Sequence, residues 1–221
     1  MHGCARAPQL SRSVRPQVLA MTIVRRIVVG LVVMMGVSLA PAGEWPESIA
    51  DAMGLPHRTN GSLEVRIWVG GGISLPFHLY RIHSDHSIVS GEHFYWCDLP
   101  RSGSGKIMQD DARDERRWYA KQFCRNGMHE TNGVIWCSSP LTGVDWSHLL
   151  KSIDVDKLWS LPPQASLGVA PCEIVDGVGV GIQLLEGQRY QSVVYWNPGQ
   201  CCPWKECEVA NKVLTTCEAS R

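Results

Sequence analysis

The sequence predicts an α+β domain: an antiparallel sheet, made of an N-terminal meander and a C-terminal hairpin, with helices packed on one side and disulfide bridges holding the layers. Three observations carry this. Apolar and polar residues alternate with a period of two in two separated stretches, Leu63 to Val69 and Val178 to Leu184. A charged segment of helical period, Gln109 to Arg125, lies between them. Beyond residue 42 the chain holds an even number of cysteines, the usage of a disulfide framework when the chain is exported.

The elements follow in order. Leu63, Val65, Ile67 and Val69 alternate with Glu64, Arg66 and Trp68, and Gly70-Gly71-Gly72 ends that strand. A second strand is expected over Leu75 to Ile82, with Pro76 tolerated at its beginning, and a third over Glu92 to Asp98. In the helical segment Ala112, Arg116, Tyr119 and Phe123 share a face. Asp110 and Asp111 open it and Lys121 and Arg125 close it, as the helix dipole prefers. Val134 to Cys137 reads as a short strand, Asp145 as the cap of a short helix through Ser152, and Asp154 as the cap of a turn before Pro162-Pro163.

Gly187-Gln188 separates two runs of β-forming residues, which is a hairpin signal. A two-residue turn there pairs Glu186 with Arg189, Ile182 with Val193, Gly181 with Val194 and Gly179 with Trp196, laying an indole over a strand glycine. A terminal helix is expected from about Trp204 to Cys217.

The amino-terminal segment bears on the compartment. Arg25-Arg26 precede an apolar run from Ile27 to Ala40, and Ala40-Pro41-Ala42 follows, the order of a secretory signal peptide cut after Ala42. Fourteen helical residues rise only about 21 Å, short of the roughly 30 Å hydrocarbon layer, so an uncleaved anchor is disfavoured. The expected location is periplasmic or secreted, with no integral membrane segment after cleavage. Met21 is an alternative start, and residues 1–42 divide from an irregular leader over 43–61 and a single domain over 62–221.

Composition excludes other classes. With 44% hydrophobic and 19% charged residues the chain is neither disordered nor a coiled coil. The formal net charge is zero, but the first 42 residues hold five arginines and no acid. Removing those five from the 21 basic residues leaves 16 against 21 acidic ones. The remainder is acidic by about five charges, which disfavours nucleic acid as a partner.

Loss of residues 1–42 removes Cys4 and leaves Cys97, Cys124, Cys137, Cys172, Cys201, Cys202, Cys207 and Cys217. All eight are expected in bridges. Eight cysteines allow 105 pairings, and the neighbours Cys201 and Cys202 are expected to join different partners. Their spacing shows no paired CxxC, so a zinc site is disfavoured.

Asp145-Trp146, Leu158 to Pro162, Asp176-Gly177, Glu186 to Tyr190 and Tyr195 to Pro198 together form an order that resembles a group of bacterial extracytoplasmic proteins of unknown function. In that group a Trp-containing helix precedes a hairpin with an Arg-Tyr step and a Trp/Pro exit. The likeness covers about residues 62–217 and implies a small exported α+β domain. It implies no activity, cofactor or catalytic residue, and the cysteines at 201, 202, 207 and 217 depart from its pattern.

For chemistry, His83, Asp85, His86 and His93, with His78 nearby, are the densest group of metal-capable side chains. The odd spacing of His78 and His83 points them to opposite faces of a strand. Gly103-Ser104-Gly105 lacks the first glycine of GxSxG, and His129-Glu130 lacks the second histidine of HExxH. No catalytic residue and no cofactor is assigned. Trp68, on the polar face of its strand, is a candidate exposed anchor. The expected function is binding of a protein or envelope ligand, with a metal-assisted hydrolase on the histidine loop and a structural envelope protein as alternatives.

Overall fold

The computed structural model describes residues 46–70, 76–98, 106–125, 127–139, 141, 143–168, 177–200 and 202–220. Their centre is a single seven-stranded antiparallel sheet in the order β4-β5-β3-β2-β1-β6-β7. The strands are β1 (Leu63–Gly70), β2 (Phe77–Asp85), β3 (Ile88–Asp98), β4 (His129–Thr131), β5 (Val134–Ser138), β6 (Gly179–Glu186) and β7 (Arg189–Trp196). The helices are α1 (Glu47–Ala52), α2 (Lys106–Phe123), α3 (Trp146–Ser152), α4 (Val155–Leu158) and α5 (Lys205–Ala219).

Strands β1 to β3 form the expected meander, and β1 also pairs with β6, so a local meander and a local hairpin join through one long-range seam. The β6–β7 register has Glu186 opposite Arg189, Ile182 opposite Val193, Gly181 opposite Val194 and Gly179 opposite Trp196, as the two-residue turn dictates. Strand β4 is an addition to the sequence reading. Its three exposed residues carry no periodic signal.

On one face, Val65, Ile67, Tyr80, Ile82, Val180, Ile182, Leu184, Val193 and Tyr195 pack with Leu149 of α3, Leu158 of α4 and Ala210, Val213 and Leu214 of α5. Helix α2 lies on this face too, since the Cys124–Cys137 disulfide ties its end to β5 and Phe123 meets Tyr95 of β3. Four helices thus share one layer, because β1 and β6 turn an unbroken apolar row to that side. The opposite face is covered by α1, whose Ile49, Ala50 and Ala52 pack with Trp68, Leu79 and Phe94. A six-residue helix is too short to show a 3.6 period, so the leader read as irregular.

The Asp145 carboxylate accepts from the His148 amide, capping α3 as expected. Asp154 precedes α4 without capping it and pairs instead with Lys157 at 2.6 Å. Disulfides join Cys124 to Cys137 and Cys202 to Cys207. One expectation is corrected: Cys97 is a free thiol buried beneath α2. The bridge nearest to it in the crevice under α2 joins Cys124 to Cys137 and leaves Cys97 out. Cys217 is buried in the core with Cys207, while Cys172 and Cys201 lie outside the described residues. The two disulfides among the described residues are compatible with an oxidising, extracytoplasmic location. Among the described residues no helix is long and apolar enough to cross a membrane.

Candidate functional site

The histidine group does not converge. β1–β2 pairing puts His83 opposite Glu64 and His78 opposite Val69, hence on opposite faces of the sheet. His93 faces Tyr80 on the His78 side. His86 stands at the tip of the β2–β3 hairpin with a left-handed φ of 53° and a side chain 98% exposed, 3.8 Å from Asp85. The set His83, Asp85, His86 and His93 is therefore corrected as a metal site. The tight hairpin keeps the strand alternation intact, so the sheet itself separates His83 from His93. Among the described residues no group of three or more metal-capable side chains comes together.

His78 and His93 do meet, with Nδ1 and Nε2 3.0 Å apart and rings stacked at 5.2 Å. Both are buried between Tyr80 and Tyr95. At that spacing one ring nitrogen donates to the other, which fixes their tautomers against each other. At 8% and 3% exposure neither ring is presented to solvent.

Trp68 is corrected as an exposed anchor. It is fully buried, and its indole N–H donates to Gln183 Oε1 at 2.9 Å. Gln183 Nε2 donates to the Tyr190 hydroxyl at 3.1 Å, and Tyr190 donates to Glu47 of α1 at 3.1 Å. The chain of hydrogen bonds satisfies the polar edges that α1 buries. Burial raises the Tyr190 hydroxyl above its ordinary value, so it stays protonated and able to donate.

Beside it lies an ionic cluster that alternation alone did not reveal. Glu64 and Arg66 are buried side by side; Arg66 Nε is 2.5 Å and Arg81 Nε 2.8 Å from Glu64 Oε1. Arg66 also donates to the Pro56 carbonyl, Arg81 reaches Glu92 at 3.1 Å, and His83 Nδ1 sits 3.5 Å from Glu64 Oε2. Burial alone would raise the Glu64 carboxyl, but Arg81 and Arg66 hold it below its ordinary value. Its charge is thereby fully engaged by neighbours within the domain, which leaves it no proton to exchange with a substrate at neutral pH. Glu130, of the failed HExxH pattern, is likewise held by Arg117 at 2.7 Å.

The outward feature is on α2. Trp118 is 58% exposed and Tyr119 40% exposed, with their rings 5.1 Å apart, and Phe123 follows one turn on from Tyr119. Beside Trp118, an apolar crevice is lined by Tyr95, Cys97, Tyr119, Phe123 and Ile135. The helix is held by the disulfide at its end and by Arg116 to Asp98 at 2.7 Å. The shared face of Tyr119 and Phe123 was legible in the sequence as a packing face. Trp118 falls outside that row, and that offset from the packing face is the available signal. The crevice itself forms only through strand order. Gly103-Ser104-Gly105 lies outside the described residues.

No known protein family, curated protein or solved structure matches this chain.

Proposed function

We propose that this chain is an exported binding domain of the periplasm or the secreted space, engaging a protein or envelope ligand through the aromatic surface of α2. The observation that carries this reading is the pair Trp118 and Tyr119, two large rings displayed on a helix that a disulfide fixes to the sheet. Exposed aromatic side chains on a rigid support provide contact area at low entropic cost. The charge balance beyond residue 42 favours a protein or envelope ligand over a polyanion. The signal-like leader and the resemblance to bacterial extracytoplasmic proteins support the location.

The test replaces Trp118 with a photoreactive phenylalanine in cells that export the chain. Irradiation is expected to give a discrete covalent adduct from position 118 and none from Glu208, an exposed residue of α5. Absence of an adduct at 118, or the same adducts from 208, overturns the proposal.

A further inference from the structure

We infer that the aromatic surface of α2 is self-complementary and that its partner is a second copy of this chain, packed antiparallel about a two-fold axis through Trp118. This deepens the binding-domain reading and rests on it. The exposed stripe of α2 carries Asp114 and Glu115, then Trp118, then Lys121 and Gln122, residues three and four apart that share one side of a helix. Acids precede the indole by one turn and a base follows it by one turn.

A two-fold axis relates residues placed symmetrically about it, so each contact occurs twice. With Trp118 on the axis, position 115 of one copy meets position 121 of the other. Glu115 therefore faces Lys121 twice, Asp114 faces Gln122 twice, and the two indoles cover each other. A parallel arrangement in register would instead set Glu115 against Glu115 and Lys121 against Lys121, a like-charge juxtaposition that disfavours it. Among the described residues Asp114 is engaged only by Arg117, at 3.6 Å, and Gln122 donates to the Trp118 carbonyl at 3.4 Å. Glu115 and Lys121 have no ion pair within the domain among the described residues, so both remain available to the second copy.

One helix face lies at the small end of specific interfaces, so the expected dissociation constant is about 10–100 μM. Sedimentation equilibrium of the chain lacking residues 1–42, with bridges intact, reads this directly. The wild type is expected to dimerise, and Trp118→Ala and Lys121→Glu are each expected to weaken the dimer at least about tenfold. The exchange Glu115→Lys with Lys121→Glu restores opposite charges across the axis and is expected to recover the dimer to within about threefold. All three positions are exposed, and an unchanged circular dichroism spectrum confirms that each variant folds. A wild type that stays monomeric at millimolar concentration, or a charge exchange that fails to rescue Lys121→Glu, overturns the inference. A monomer in solution that still gives a heterologous adduct from position 118 in cells rejects self-association alone and leaves the binding-domain reading standing.

Discussion

The indole of Trp146 on α3 covers Gly91 of β3: a methyl group built on Gly91 would lie 2.8 Å from Cε2 and closer still to Cδ2 and Cε3. The contact locates α3 on the sheet, because only a residue without a side chain lets the ring approach the strand. Gly91→Ala is expected to destabilise the domain by about 1–3 kcal/mol through overpacking. The midpoint of urea unfolding measures it. In Trp146→Ala the same Gly91→Ala change is expected to cost much less, since the obstructing ring is gone.

Among the described residues Glu64 is the only carboxylate bonded to Arg66, whose remaining partner there is the Pro56 carbonyl. Glu64→Gln leaves a buried guanidinium without its counter-charge. Removal of one partner of a buried pair costs about 3–5 kcal/mol. The expected result is a lower denaturation midpoint with an unchanged denaturant slope, since the folded surface is not altered. A cost below about 1 kcal/mol would mean that water reaches Arg66 and that the cluster is not dry.

The same cluster gives the domain an acid-sensitive stability. His83 is held below its ordinary value of 6.5 by burial and by Arg81, with Glu64 pulling the other way. Its neutral form is thus favoured by folding, and stability falls as pH drops below 6.5 toward the folded-state value. Glu64, held below 4.5, adds stability that is complete above 4.5 and is lost as pH falls through its own lowered value. Two successive losses on acidification are expected in melting temperature against pH. His83→Gln should reduce the first, to which the buried pair His78 and His93 also contributes, and leave the second.

These features differ in how far the sequence exposed them. The β6–β7 register followed from alternation and a two-residue turn, because a period of two leaves one pairing that buries Val180, Ile182 and Leu184 together. The long-range β1–β6 seam has no local signature, since both strands are completed only by meeting. Glu64, Arg66 and Trp68 alternated as a solvent face would. What reversed them was α1, six residues from the leader, covering that face. Buried ions and exposed rings are both properties of the second layer, and a single strand's pattern cannot report which layer lies over it.

Cys97 offers a test of the layer formed by α2. Burial pushes its thiol up to about 11, with the Arg116 charge opposing, so at pH 8 only about one molecule in a thousand carries the thiolate. Cys97 and Cys124 line one crevice, and a reactive thiolate there would attack the Cys124–Cys137 bridge by exchange. Peptide mapping after iodoacetamide treatment at pH 8 is therefore expected to find Cys97 unmodified in the native domain and alkylated in denaturant. Replacing both Cys124 and Cys137 with serine removes a cross-link of sequence separation 13, worth about 3 kcal/mol in the chain-entropy account. It also frees the end of α2. Cys97 should then become alkylated under native conditions; continued protection would show that packing, rather than the bridge, keeps α2 seated on the sheet.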